Sequence, residues 1–162
     1  MIWKAIAYVC SRPKVAEWLI ERSKKTPYLH IYGKDGHMYM GRWWLFNPYP
    51  SPEEQRAKNK QFPISIRIHH IQKEDDDRAL HDHPWNARTI IIKGAYREVR
   101  EGGRPYYRMP GDTAKLKFGE YHRITTVAPE GAWTIFITGK YRGTWGFLVD
   151  GTKVQWRKYL GL

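Results

Sequence analysis

From Pro63 onward, short runs rich in β-branched and aromatic residues alternate with turn residues, and this pattern constrains the fold more than any other feature of the chain. Residues Ile64, Ile66, Ile68 and His70 alternate with Ser65, Arg67, His69 and Ile71, so a strand places His70 on the apolar face. Further strands are expected at Thr89–Lys93, Ala95–Val99, Tyr106–Met109, Thr113–Phe118, Arg123–Val127, Ala132–Thr138, Gly143–Val149 and Lys153–Trp156. The turns between them fall at Glu101-Gly102-Gly103, Pro110-Gly111-Asp112, Pro129-Glu130-Gly131 and Asp150-Gly151. The expected class is all-β, an antiparallel barrel or sandwich.

The first part of the chain reads differently. Ser11 and Pro13 signal a helix start, and Val15, Trp18, Leu19 and Arg22 follow at helical spacing to about Lys24–Lys25, giving one amphipathic helix. The sequence Tyr28–Tyr32, Gly33-Lys34-Asp35-Gly36, His37–Phe46 then reads as an aromatic hairpin, expected to pack outside the barrel or in a dimer contact. Asn47-Pro48-Tyr49-Pro50-Ser51-Pro52 stops it, and the polar Glu53–Gln61 stretch reads as a surface loop or short helix. With 162 residues the chain holds one domain, divided into an extension over 1–62 and a barrel core over 63–157.

Charge and composition exclude several classes. Lys and Arg number 28 against 16 acids, a net charge of +12 spread along the chain, and such a field attracts small anions or nucleic acid. No apolar run is long enough for a membrane span, and the lone Cys10 forms no internal disulfide, so the expected setting is cytoplasmic. No phosphate-cradling glycine loop and no serine-nucleophile elbow is present.

The segment Leu80-His81-Asp82-His83-Pro84-Trp85 carries the chemistry. Two histidines at i and i+2 of a strand share a face and can bind one ion, while Asp82 between them points away. A third histidine follows in Phe118-Gly119-Glu120-Tyr121-His122. Of the rest, Tyr96, Tyr107 and Trp145 are candidates to line a pocket, and Glu74-Asp75-Asp76-Asp77 reads as a solvated turn.

These positions resemble the two motifs of the cupin superfamily over about 63–149. His81, His83 and Gly94 match the first, with Asp75 in place of its leading glycine and Ala87 or Arg88 in place of its glutamate; Gly111, Gly119 and His122 match the second, with Lys117 and Thr126 replacing its proline and asparagine. Lacking the glutamate, the chain most resembles the three-histidine thiol dioxygenases. The resemblance implies a cupin-type antiparallel β-barrel (a double-stranded β-helix, or jelly roll) with an N-terminal amphipathic helix and hairpin. It also implies a divalent metal on His81, His83 and His122, with Fe(II) favoured over zinc, nickel or manganese, and a homodimer. His70 is the candidate additional ligand, and Arg88 the candidate contact for a small anionic substrate.

The Arg42-Trp43-Trp44-Leu45-Phe46-Asn47-Pro48 block and Gly143-Thr144-Trp145-Gly146-Phe147 also resemble small cupin-like proteins of phages and prophages, which would place the chain in a host cytoplasm. Three functions follow. One is a non-haem Fe(II) dioxygenase. The second is a non-catalytic binding protein for nucleic acid, a nucleotide or a host protein, and the third is a metal-free isomerase acting on a sugar nucleotide with a histidine as base.

Overall fold

Two long antiparallel strands, β5 (Trp85–Arg100) and β8 (His122–Tyr141), run alongside one another and carry the barrel. The computed structural model describes every residue except Lys34, Pro52, Lys60 and Arg78. The expected hairpin turn, the Asn47–Pro52 stop and the Glu53–Gln61 loop each include one of these.

The chain opens with helices α1 (Ile2–Cys10) and α2 (Pro13–Lys24), followed by strands β1 (Ile31–Tyr32), β2 (Met38–Phe46) and β3 (Ser65–Ile71). After β4 (Leu80–His81) and β5 come β6 (Pro105–Arg108) and β7 (Thr113–Leu116). Strand β8, then β9 (Gly146–Val149) and β10 (Thr152–Gln155), lead into the terminal helix α3 (Trp156–Leu160). Among the described residues the path through the sheet is β1-β2-β3-β8-β4-β9-β10, with β5 lying against β8 and pairing with β6 and β7. The all-β, cupin-type reading holds.

Four strands expected from the sequence are two. Gly94 and Gly131, expected at breaks, instead lie at bends where β5 and β8 turn together. Both have positive φ, and a Cβ on Gly94 would lie 1.9 Å from the Gly131 carbonyl oxygen, so a side chain at Gly94 is sterically excluded. The bends let each strand run from one half of the barrel into the other.

The hairpin is also placed differently from expectation. Strand β2 pairs along β3, from Met40 opposite Ile71 to Phe46 opposite Ile66, so residues of the 1–62 extension form part of the barrel wall. Helices cover the outer face. Ala7 of α1 and Ala16 and Ile20 of α2 pack on Ile68, Ile90, Ile92 and Ile135. The small residues Ala16 and Ser23 let α2 approach closely, and Trp18, expected on its apolar face, is 64% exposed. Helix α1 was not expected from the sequence; within it Lys4 is exposed and Ala7 is fully buried. No helix among the described residues is long and apolar enough to cross a membrane.

Because α2 covers the outside of β3, this strand is buried on both faces, and alternation alone does not reveal which face looks inward. Ile66 and Ile68 point out to the helices. Arg67, His69 and Ile71 point into the barrel cavity.

Candidate metal centre

The cavity has a volume of about 440 Å³. His81, His83 and His122 all line it, each offering a ligand atom, and these atoms lie within 4.8 Å of one another. Strand pairing brings them together: His81 of β4 stands directly opposite His122 of β8. His83 lies just past the end of β4, in the connection to β5, yet faces the cavity as strand alternation would have it.

The nitrogen atoms are oriented by their other contacts. His122 Nδ1 lies 3.2 Å from the Glu98 carboxylate, and since a carboxylate only accepts, Nδ1–H donates to it and Nε2 is turned toward the other histidines. That Nε2 is 2.9 Å from His83 Nε2. One of these two nitrogens carries a proton and donates to the other. Two imidazole nitrogens at metal–nitrogen distances of about 2.0–2.1 Å from a shared ion stand roughly 3 Å or a little more apart. The three-histidine donor set and this spacing therefore fit a divalent ion.

Glu98 was not singled out from the sequence. Its carboxylate accepts hydrogen bonds from Arg100 Nε and Nη2, each at 3.2 Å, and from Arg108 Nε at 2.9 Å and Nη2. Burial alone would raise its pKa, but the hydrogen bond from His122 and the charge interaction with it, followed by the charge of Arg108, outweigh it and hold the group at about 2. Glu98 is thus an ionised, fully partnered carboxylate that fixes the His122 ring.

The other two histidines are kept neutral. Burial, only partly offset by Asp75, brings the His81 imidazolium down to about 4. Burial and the neighbouring His122 and His81 rings hold His83 well below its ordinary value. Neutral imidazole is the form that binds a metal.

Two acids near the cluster act as braces. Asp82 points away from the ions' common locus, as expected, and is buried: it accepts from the Gly146 amide at 2.7 Å and from Lys153 Nζ at 2.6 Å, tying the β4–β5 connection to β9 and β10. Asp75 belongs to the run expected to be a solvated turn, but it is fixed. It accepts from the Ile124 amide at 2.8 Å and from the Tyr39 hydroxyl, with Oδ2 3.7 Å from His81 Nδ1.

Two candidates from the sequence lie elsewhere. His70 is on the outer face of β3, stacked at 4.0 Å on Trp133 with Nε2 3.3 Å from the Glu130 carbonyl, so it does not join the other three. Arg88 is on the outer face of β5, its Nη1 donating to Thr113 Oγ1 at 3.1 Å and its guanidinium 4.5 Å over the Trp3 ring. The inward residue at that step is its neighbour Ala87, because the strand keeps its alternation past Pro84. Tyr96 and Trp145 line the cavity, whereas Tyr107 is 70% exposed.

The interior holds a second polar region that the sequence reading assigned to the wrong face. Arg67 is 2% exposed, and its guanidinium carbon lies 5.2 Å from the ring centres of Trp44, Tyr49 and Trp85, 5.5 Å from Phe136 and 5.7 Å from Tyr28. Beside it on the same face of β3, His69 stacks on Phe136 at 4.8 Å. Burial, with the charges of Arg67 and Arg42, holds His69 well below its ordinary value.

The β-barrel with three histidines converging inside it has the fold of cupin proteins. Solved structures similar to it include a cupin-2 domain from Rhodospirillum rubrum, at 14% identity and a TM-score of 0.53, covering 75% of this chain and 74% of that one. A cupin-2 barrel protein from Rhodopseudomonas palustris is similar at 12% identity and a TM-score of 0.52, covering 77% of each chain. HppE in its Fe(II) form is similar at 12% identity and a TM-score of 0.51; the alignment covers 71% of this chain but spans only 57% of HppE. No family model matches the sequence, and no curated protein matches it.

Proposed function

We propose that the protein is a metal-dependent cupin enzyme in which His81, His83 and His122 hold a divalent ion, with Fe(II) the favoured metal, and that it oxidises a small anionic substrate as a dioxygenase. The observation that carries this reading is the 2.9 Å approach of His83 Nε2 to His122 Nε2 inside the barrel cavity, with all three histidine ligand atoms within 4.8 Å. Bound there by three protein ligands, Fe(II) would supply open positions for substrate and oxygen and the redox capacity to join them.

The protein's own groups do the rest. Glu98, anchored by Arg100 and Arg108, holds His122 in one tautomer and orientation, so the ligand face is formed before any ion arrives. The rings of Trp85 and Phe136 pack against His83 and keep bulk water from that side. Asp75 and Tyr39 fix the chain beside His81.

The test is oxygen uptake by protein loaded anaerobically with Fe(II) and then given a panel of small carboxylates in air. Substrate-dependent uptake that disappears in a folded His122→Ala variant is expected. Uptake that persists in that variant would contradict the reading.

A further inference from the structure

We infer that Arg67 and His69 form a carboxylate-binding subsite in the barrel cavity, so that a substrate of the proposed centre is anchored by its carboxylate at the β3 wall. The inference deepens the functional reading above and rests on it for the substrate's role, but the binding event itself requires no metal.

Arg67 makes no ion pair among the described residues, and its buried Nε has no hydrogen-bond partner. Its neighbours on all sides are aromatic rings, whose faces attract the cation but supply no acceptor in the guanidinium plane. A guanidinium does not shed its proton to escape burial, so the charge stands in the cavity uncompensated. Its neighbour His69 is buried as well, and its Nε2 also lacks a partner. Two orphaned nitrogens at positions i and i+2 of one strand thus face the same space.

An oxyanion with two oxygens meets the planar fork of an arginine in a bidentate manner, and a neutral imidazole N–H can supply a further donor. One positive charge matches one carboxylate. A dianionic phosphate would bring a second charge with only Arg42, whose Nε is already engaged with the Leu29 carbonyl, as a further cation lining the cavity.

The subsite is close to the histidines. Phe136 lies 5.6 Å from the His83 ring and 5.5 Å from the Arg67 guanidinium, and Trp85 lies 6.1 Å and 5.2 Å from the same two groups. Trp85 and Phe136 thus each touch both groups, and all of them line one cavity, which suits a small carboxylic acid whose reacting group reaches the histidines.

The experiment titrates chelator-treated, full-length protein with sodium benzoate and, separately, sodium phosphate, following tryptophan fluorescence and heat. Trp44 and Trp85 flank the guanidinium and report occupancy. Saturable benzoate binding is expected, weakened at least about tenfold in Arg67→Met and unchanged in Arg88→Met, with phosphate weaker than benzoate. The ligand-free Arg67→Met protein should also melt at a higher temperature than the parent. If Arg67→Met does not fold, Arg67→Lys keeps the charge but loses the fork and Nε, and should weaken benzoate several-fold. Benzoate binding that is absent in the parent, or equal in the parent and the Arg67 variant, would overturn the subsite. Tighter phosphate binding would overturn its assignment to carboxylates. Benzoate binding retained in His122→Ala is also expected, and it separates this result from failure of the metal centre.

Discussion

Behind the ligand histidine His122 the carboxylate of Glu98 is met by Arg100, Arg108 and His122; on the β3 wall of the cavity the guanidinium of Arg67 is met by five aromatic rings and, among the described residues, by no acid. Both groups are almost fully buried. The difference shows that burial of a charge has opposite meanings according to its partners. Glu98 is complete within the chain and serves to hold a ligand histidine in place. Arg67 has no acid partner among the described residues, and the proposed ligand carboxylate would supply one.

The largest expected effect comes from breaking the complete end. Glu98→Ala leaves two arginines facing each other in a buried space, and should cost about 3–5 kcal/mol in denaturant-induced unfolding. Arg67→Met should do the reverse in the ligand-free protein, stabilising it by about 1 kcal/mol or more, because an unmatched charge is replaced by an apolar side chain of similar length. Equal destabilisation by the two changes would erase the contrast. A subtler break is Glu98→Gln, which keeps the shape but loses the charge that orients His122, and should weaken metal affinity about 10–100-fold with the fold intact. Calorimetric titration with a divalent ion checks it.

Acid acts on the histidines of both regions. His81 titrates at about 4 in the folded protein against 6.5 unfolded, so between those values the unfolded chain takes up a proton that the folded one excludes. For this group, stability of the metal-free protein is unaffected above pH 6.5 and falls as pH drops from 6.5 toward about 4; Arg67 itself adds nothing in that window, whereas His83 and His69, both held well below their ordinary value, add to the fall. Thermal melts from pH 7.5 to 4.5 should show the fall, and His81→Gln should lessen it, leaving the part due to His83 and His69. The smallest effect is expected of Arg88→Met, within about 0.5 kcal/mol, since its guanidinium is on the outer surface of β5.

The histidine end was legible in the sequence and the arginine end was not. His81 and His83 at i and i+2, and His122 after a glycine-punctuated turn, announce themselves through residue type and spacing. Arg67 and His69 sit in a strand whose isoleucines suggest the opposite face, because α2 buries Ile66 and Ile68 from outside. Only the tertiary fold reveals that β3 has two buried sides. Glu98 was hidden for a related reason: its partners Arg108 and His122 lie on other strands, at separations that no local pattern encodes. The glycine bends at Gly94 and Gly131 were read as chain breaks because a glycine beside turn residues carries the same local signal in a bend as in a loop.

The central claim is that the three histidines hold a metal ion, and elemental analysis tests it most directly. The protein is purified without an affinity tag or added metal and compared with a His81→Ala, His83→Ala variant shown to be folded by circular dichroism. Close to one equivalent of iron, or of another divalent transition metal, is expected in the parent and none in the variant. An equal metal content in both, or a parent that remains empty even after titration with Fe(II), would contradict the account.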